Sequence, residues 1–335
     1  YLAQRQSPLQ RAIFRTVLGN PPLLRGGARV LGWLKRSGLT TFSKLLRLLP
    51  WLDRGYSEAP AWMPAPKTFL RQRIARRAHA EGASGRVIYF VGCAIDYAFP
   101  GVGESSLDLL EAAGHEVSVA SNVCCGLPPY AYGDLESARA LARKNIEALQ
   151  AAGDEIILSD CASCSSFLRD YPELFEKNDP LRGAAEEVAG RVRELSQFLA
   201  ESALPDTLQP VAGVVTYHDP CHLSRYHGIT REPRELLRRL PGLEYRELPE
   251  ADWCCGGAGS YSMSHHDLSM QILRRKMNNI RATGAQIVVT PCPACIMQLR
   301  YGAEKFGVPV EVIHLTEMLR RALPQTAAAA GDVAR

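Results

Sequence analysis

Short apolar runs alternate with amphipathic segments along most of the chain. Six runs have the length and composition of buried strands: 87–91, 117–120, 156–158, 214–217, 243–246 and 287–289. The segments between them carry apolar residues at helical spacing, most clearly over 135–149 and 265–280. Strands that alternate with helices are typical of parallel sheets covered by helices on both faces. The pattern therefore predicts an α/β fold.

The first 85 residues follow a different pattern, in which apolar positions recur at helical spacing among arginines. Five residues are expected to break this basic arm into short amphipathic helices: Pro21, Pro22, Gly26, Gly27 and Pro50. Such helices can lie on an anionic membrane surface, or they can pack on the rest of the protein with solvated arginine faces. Both interpretations stay open.

All the cysteines fall into two sets of five with the same order. Each set has a single cysteine, a vicinal pair followed by glycine, and a C-x-x-C, and corresponding spacings differ by at most two residues. The first set is Cys93, Cys124, Cys125, Cys161 and Cys164. The second set is Cys221, Cys254, Cys255, Cys292 and Cys295. Each part of each set follows a predicted strand, so we expect two tandem modules related by a pseudo-twofold axis, with the cysteines at the carboxyl ends of the strands.

Composition and charge divide the chain in the same way. At 335 residues and 46% hydrophobic, the chain is long and apolar enough for two ordinary domains. Residues 1–86 contain sixteen Lys or Arg and three acidic residues, although the whole chain has a net charge of only +4. We predict a basic helical arm or linker over 1–85, a first module over 86–205, a second module over 206–323 and a disordered tail over 324–335.

Five cysteines per module are one too many for a structural zinc ion or a cubane iron–sulfur cluster, each of which takes four ligands. Adjacent cysteines also chelate one metal ion poorly, whereas they can bridge two irons. The glycine after each pair would let the backbone approach an inorganic core without a Cβ in the way. The count favours an unusual multi-iron cluster in each module, with zinc, disulfides and structural thiols as the alternatives.

The repeated pattern with its two C-C-G elements resembles the duplicated cysteine-rich CCG domain. This domain occurs in heterodisulfide reductase subunits, in lactate-utilisation iron–sulfur proteins, in one of the subunits of anaerobic glycerol-3-phosphate dehydrogenase and in the glycolate oxidase iron–sulfur subunit. The resemblance covers residues 86 to about 323. Within the superfamily, segments 85–93 and 133–146, together with 35–39 of the arm, are similar to the glycolate oxidase type.

The resemblance implies that each set of five cysteines holds a noncubane [4Fe-4S] cluster, so that all ten residues bind metal and cofactor. It also implies a partner subunit that binds FAD and a relay of electrons from that flavin towards a quinone or other acceptor, in the oxidation of a 2-hydroxyacid such as glycolate or D-lactate. A ferredoxin-like domain precedes this arrangement in the family, and we expect the arm to follow such a domain.

Two other functions remain open at this point. One is a heterodisulfide-reductase-like subunit whose second cluster is catalytic, and the other is a structural or assembly subunit stabilised by zinc. His218 and His222 flank Cys221, and the first module has no counterparts of them. Imidazole titrates near neutral pH, so either residue could donate a proton to a substrate or a hydrogen bond to a cluster thiolate. We name both as candidate catalytic residues, against the alternative that they cap backbone groups of a loop.

The same features bear on location and partners. No stretch reaches the roughly 18 to 20 apolar residues of a membrane span, and the first residues lack a signal-peptide pattern. We therefore expect a cytoplasmic protein, with peripheral contact to the inner face of the cell membrane through the basic arm. The arm lacks interleaved aromatic residues and any known binding motif, so we expect no nucleic-acid partner.

Overall fold

Two four-stranded sheets lie at the centre of the molecule, for which a computed structural model describes residues 11–38, 64–75, 85–202, 204–205, 207–257 and 261–324. The first sheet contains β1 (Gly85–Tyr89), β2 (His115–Val119), β3 (Ile157–Ser159) and β4 (Val192–Glu194). The second contains β5 (Gly213–Tyr217), β6 (Leu243–Tyr245), β7 (Ile287–Val289) and β8 (Glu311–Ile313). Hydrogen-bonded neighbours follow the orders β2-β1-β3-β4 and β6-β5-β7-β8.

The strand pairings recorded within these sheets are all parallel. The predicted α/β fold, with two parallel sheets of the same topology flanked by helices, is confirmed. Parallel strands end at the same edge of their sheet, so the loops that follow β1, β2 and β3 leave side by side, as do those that follow β5, β6 and β7.

Helices cover both sheets, and the longest of them confirm the helical periodicity of the sequence. The α-helices are α1 (Pro21–Arg36), α2 (Leu70–Ile74), α3 (Cys93–Tyr97), α4 (Pro100–Ala112), α5 (Leu127–Ala131), α6 (Leu135–Ala152), α7 (Ala162–Arg169), α8 (Arg182–Arg191), α9 (Leu195–Glu201), α10 (Arg231–Arg238), α11 (Tyr261–Ser264), α12 (His266–Thr283), α13 (Pro293–Phe306) and α14 (Leu315–Arg320). Shorter helical turns are the π-helices Ile13–Val17 and His222–His227 and the 3₁₀ helix Tyr171–Leu174.

The inner strands are apolar because helices cover them on both faces. All residues of β3 and β7 are buried, whereas β6 at a sheet edge is partly exposed. The predicted strand ends differ from the observed ones by at most two residues, and those of β7 agree at both ends. The sequence did not predict β4 or β8, since charged residues interrupt both strands and leave no continuous apolar run.

Helix α1 begins at the two prolines, where a break was expected, but it corrects the expectation that Gly26 and Gly27 break the arm. Pro21 and Pro22 stand in its first turn, where their missing N–H groups cost nothing, and Asn20 Oδ1 accepts a hydrogen bond from Leu23 N at 3.4 Å. Gly26 and Gly27 lie inside the helix. Glycine lowers helix stability by about 1 kcal/mol relative to alanine, which sixteen helical residues tolerate.

The two modules are joined by polar contacts between α14 of the second and the first module. The Nε2 atom of His314, at the start of α14, lies 2.8 Å from the Asp160 carbonyl oxygen. Thr316 Oγ1 donates to the Val102 carbonyl at 3.3 Å, and Arg320 pairs with Asp108. These contacts hold the carboxyl edges of the two sheets in a fixed relation.

Several predictions fall outside the described residues. Residues 39–63 and 76–84 of the basic arm, with Pro50, lie there, and so do residues 325–335 of the predicted disordered tail. Among the described residues, no helix is both long enough and apolar enough to cross a membrane.

Close packing of α13 on α12 requires a glycine at position 302. A Cβ on Gly302 would come within 2.8 Å of Leu273 Cδ1 and 2.9 Å of Met277 Cγ, and both of these side chains are fully buried. We expect Gly302→Ala to lower the free energy of unfolding by about 1–3 kcal/mol. Gly190→Ala in α8 is the matched control, since nothing lies within 4 Å of a Cβ there. Urea denaturation measures the free energy of unfolding of both variants and of the parent protein. A Gly302→Ala variant as stable as the parent would contradict this account.

Glu194 makes stability depend on pH. Its Oε2 atom accepts a hydrogen bond from Ser196 N at 2.7 Å, while burial raises the pKa of the carboxyl from 4.5 to about 7. The folded protein therefore holds a proton that the unfolded chain releases, so this group lowers stability as pH rises from about 4.5 to about 7.

Replacement of the Glu194 carboxyl tests this dependence. The free energy of unfolding of the parent protein is expected to fall between pH 4.5 and 8. In Glu194→Gln we expect this fall to be smaller by about 3 kcal/mol. Glu201→Gln, at an exposed position at the end of α9, should behave like the parent. Urea denaturation across this pH range makes the comparison, and parallel profiles for the parent and Glu194→Gln would refute the assignment.

Candidate metal centres

The first set of cysteines gathers at the carboxyl edge of the first sheet. Cys93 follows β1 and is the first residue of α3, and Cys124 and Cys125 follow β2. Cys161 follows β3 as the N-cap of α7, and Cys164 lies in the first turn of that helix. Three neighbouring strands thus deliver the five side chains to one place.

The thiols of this set form a continuous chain of contacts. Cys93 Sγ lies 3.8 Å from Cys124 Sγ, and further thiol hydrogen bonds link Cys124 to Cys125, Cys125 to Cys164 and Cys164 to Cys161. All ten cysteines of the chain are free rather than disulfide-bonded. The first set can therefore present five sulfur atoms to one bound group.

Mutual hydrogen bonds set the protonation of the first set. The pKa of Cys125 falls to about 6, because Cys124 and Cys164 donate to its sulfur. The pKa of Cys164 rises well above its usual value, because its own thiol is engaged with Cys125 and Cys161 and is buried. A thiolate inside a shell of neutral thiols is an arrangement that a soft metal cation stabilises, since each further thiolate needs a positive charge beside it.

The second set gathers in the same way beside the second sheet. Cys221 follows β5, Cys254 and Cys255 follow β6 after a longer loop, and Cys292 caps α13 at the end of β7. Cys255 Sγ lies 3.6 Å from Cys295 Sγ, and hydrogen bonds join Cys254 to Cys255 and Cys292 to Cys295.

Cys221 is the outermost residue of the second set. No sulfur contact joins it to the other four in the described residues, but it is close enough to Cys292 and Cys255 for their charges to raise its pKa, after the larger effect of burial. Cys221 and Cys254 are half-buried, whereas in the first set only Cys93 is.

His218 lies inside the second site. It is 1% exposed, and its ligand atom lies with those of Cys255 and Cys295 within 4.8 Å of one another. Neither ring nitrogen has a nitrogen or oxygen partner in the described part of the chain. The pKa of Cys255 is held well below its usual value, first by hydrogen bonds from Cys254 and Cys295 and then by the nearby imidazole.

His222 lies at the edge of the same site and has a different environment. Its ring stacks on Tyr226 with centroids 5.3 Å apart, and Nδ1 is 3.7 Å from Cys221 Sγ. Burial lowers its pKa. The structure thus brings both candidate histidines to the second set of cysteines, and their catalytic role stays a prediction.

Ser163 joins the two sites, although no sequence pattern singles it out. This residue stands between the cysteines of the first C-x-x-C, yet its Oγ lies 3.7 Å from Cys292 Sγ and 3.4 Å from His222 Nδ1 of the second module. Ala162 N donates to the Pro291 carbonyl at 3.1 Å beside it. The two C-x-x-C elements therefore face each other across the interface between the modules.

The model of the cysteine-rich CCG domain matches residues 87–169 and again residues 215–300. The chain belongs to the CCG domain family. It is 30% identical over 322 residues to a Bacillus subtilis protein named "Probable glycolate oxidase iron-sulfur subunit", which covers 94% of this chain and 72% of that protein.

Two further relatives carry other names. Lactate utilization protein A of an Exiguobacterium species is 34% identical over 71% of this chain and 98% of its own length. A fumarate reductase (CoM/CoB) subunit of Methanothermobacter marburgensis is 34% identical over 71% of this chain but only 47% of that protein. The proposed resemblance to this group of iron–sulfur proteins is confirmed.

The basic arm covers the first CCG site. Leu18, Pro21 and Leu24 line a small cavity together with Cys93 and Cys124. Beside this cavity, the half-buried Arg71 donates to the Ala120 carbonyl at 2.7 Å and to Asn122 Oδ1 at 2.8 Å, and it forms an ion pair with Asp96 at 3.5 Å. Such contacts depend on how the arm folds back, which no local sequence pattern reveals.

The glycines of the two CCG modules have a different role from the one expected. Gly126 and Gly256 adopt φ angles of +97° and +84°, and a Cβ at Gly256 would meet the Ser269 carbonyl oxygen at 2.6 Å. Helix packing and turn geometry therefore require them. The glycines that lie against sulfur are Gly92 and Gly257, where a Cβ would stand 3.3 Å from Cys164 Sγ and 3.4 Å from Cys255 Sγ respectively.

The donor sets fit an iron–sulfur group. Eight of the ten side chains come from vicinal pairs or C-x-x-C elements, and seven are buried. Soft thiolates suit iron–sulfur clusters and zinc better than they suit hard cations such as magnesium. Cys161 and Cys292 also cap helices of eight and fourteen residues, whose N-terminal partial charge favours an anionic group.

Proposed function

We propose that this protein is the iron–sulfur electron-transfer subunit of an FAD-linked 2-hydroxyacid dehydrogenase complex that oxidises glycolate or D-lactate. It relays electrons from the flavin of a partner subunit towards a quinone or other acceptor. The observation that carries this proposal is the presence of two five-thiol sites that meet across one interface through Ser163. The names of the relatives support the choice of complex.

Each site binds one cluster, and the number of thiols argues for a noncubane [4Fe-4S] group. A tetrahedral zinc ion would leave one thiol of each set without a role. An iron–sulfur cluster supplies one-electron exchange when it is bound. The protein's own residues hold it with five thiolates, keep most of its surface from water and place positive helix ends beside it.

The contact between the modules suits a relay. Cys164 is a proposed ligand in the first module, its chain neighbour Ser163 contacts Cys292, and Cys292 is a proposed ligand in the second. An electron that leaves the first centre therefore has a path of one residue and one non-covalent contact to the second. No substrate has to bind between the centres for this transfer.

Iron analysis tests the clusters. Protein purified without oxygen is expected to contain about eight irons per chain, with acid-labile sulfide and an EPR signal after reduction. Cys164→Ser should lose the first centre and about half of the iron, and Cys295→Ser should lose the second. Ser166→Ala, in the same helix as Cys164, should keep both. Stoichiometric zinc without iron in the parent protein would reject the relay and favour the structural alternative.

A heterodisulfide-reductase-like function is the second candidate. It is favoured by the identity to the fumarate reductase (CoM/CoB) subunit and by the position of His218 and His222 at the second site. In that case a disulfide substrate would bind at the second cluster, and added thiols would change its EPR signal. An unchanged signal, together with co-purification of an FAD-containing subunit, would favour the relay.

The location that we propose is the cytoplasmic face of the cell membrane, with α1 against the lipid surface. Leu23, Val30 and Trp33 lie on one side of this helix and are 52%, 59% and 62% exposed. Arg29 is exposed beside them, and Arg36 lies in the last turn. An apolar face with basic neighbours suits the surface of an anionic bilayer.

Vesicle binding tests this contact. The protein is expected to sediment with vesicles that contain anionic lipid and to be released by salt, because the attraction is partly electrostatic. Trp33→Ala should weaken binding several-fold, because it removes the largest exposed apolar side chain of the helix. Tyr226→Ala, an exposed aromatic residue of the second module, is the control. Equal binding of Trp33→Ala and the parent would exclude α1 as the contact.

A further inference from the structure

The two CCG modules place different side chains at corresponding positions around their sulfur atoms. In the first module, Asn145 of α6 donates to the Cys124 carbonyl and accepts from Val123 N, both at 2.9 Å. The corresponding residue of α12 is Lys276, whose Nζ donates to the carbonyls of Glu250 and Ala251. A neutral amide beside the first pair of cysteines is thus replaced by an ammonium group beside the second.

The ammonium group of Lys276 lies in the interior of the protein. Its side chain is fully buried. Burial lowers its pKa to about 8, while negative charges nearby act in the opposite direction; these belong to Cys255, Asp252, Asp219 and Cys295. A charge in a poorly polarisable interior acts on its neighbours more strongly than one in water. An anionic cluster on Cys255 and Cys295 would therefore be attracted electrostatically to the ammonium group.

His218 is a second difference between the two sites. His218 stands three residues before Cys221, and the corresponding residue before Cys93 is Phe90. Its imidazole faces Cys255 and Cys295, whereas the ring of Phe90 is apolar and fully buried. The second site thus has a polar nitrogen group where the first has a hydrocarbon ring.

Ser163 is a third difference, although it belongs to the first module. Its hydroxyl lies at Cys292 Sγ, so a polar group of the first C-x-x-C serves the second site. The corresponding residue of the second C-x-x-C is Ala294, which has no hydroxyl to offer in return. The interface therefore gives the second site a hydrogen-bond donor and gives the first none at this position.

The cations near the first site are more weakly placed. The Arg71 side chain is 23% exposed, and the carboxylate of Asp96 balances its charge. Arg25 also acts on Asp96, from the half-buried side of α1. Solvent screens these charges more than it screens Lys276. Two half-buried cysteines in the second set, against one in the first, add water near the second centre.

We propose that the second centre has a higher reduction potential than the first, and that Lys276, His218 and Ser163 produce the difference. This inference rests on the proposed function, in which both sites hold an iron–sulfur cluster. Reduction adds a negative charge to a cluster, and nearby cations, hydrogen bonds to sulfur and water all stabilise that charge. Transfer of an electron from the first centre to the second is then energetically favourable.

A redox titration followed by EPR tests the order of the two potentials in the anaerobically purified full chain. Cys295→Ser leaves only the first centre and Cys164→Ser leaves only the second, so each signal can be assigned. The second centre is expected to be reduced at the higher potential. Equal potentials, or a higher potential at the first centre, would overturn the inference.

Single substitutions test the named residues. Lys276→Asn, which introduces the residue of the first module, is expected to lower the potential of the second centre and leave that of the first unchanged. Ser163→Ala should do the same to a smaller extent, although Ser163 lies between two cysteines of the first set. Arg274→Asn is the matched control, since it removes an exposed charge from the same helix and should move neither potential.

The outcomes separate the two proposals. Iron and sulfide at both sites with an unchanged second potential in both Lys276→Asn and Ser163→Ala would overturn the inference and leave the relay intact. If Lys276→Asn loses iron, the reduction potential of the second centre is measured in Ser163→Ala and His218→Phe instead, and an unchanged potential in both would overturn the inference. A parent protein without iron would reject the proposed function, and this inference with it.

Discussion

Parallel pairing of the strands is the constraint on which both sulfur sites depend. Since every strand of a sheet ends at one edge, three loops that are far apart in sequence emerge side by side, and each carries part of a cysteine set. The hydrophobic burial of β3 and β7 fixes the two C-x-x-C elements in the middle of these edges. The order and direction of the strands therefore determine where the cysteines lie, more than the conformations of the loops do.

Docking of the two modules turns two separate sites into a pair. The contacts of Ser163 with Cys292 and His222 are direct, and those of His314 and Thr316 with the first module add to the same interface. A duplicated domain would permit identical centres. Different residues at corresponding positions of the two repeats, at the interface and in α12, instead give the two sets of cysteines different surroundings.

The sequence predicted what depends on local pattern and repetition. Apolar runs located six of the eight strands, and the repeat located ten cysteines at strand ends. It did not predict β4 and β8, in which charged residues interrupt the apolar run, and it placed helix breaks at Gly26 and Gly27, which α1 spans.

Contacts between elements distant in sequence could not be predicted from pattern alone. Ser163 and Lys276 have no local signal, because their importance depends on which module or carbonyl lies opposite. Gly92 and Gly257 were passed over for the same reason, since only the folded chain shows that they touch sulfur. Comparison of corresponding positions in the two repeats would have singled out Lys276 against Asn145.

The fold of the arm over the first site bears on how the protein matures. Leu18, Pro21 and Leu24 line the same small cavity as Cys93 and Cys124, so the arm narrows the route by which a metal ion could reach these two cysteines. Loading of the first site in the folded protein would therefore require this part of the arm to move.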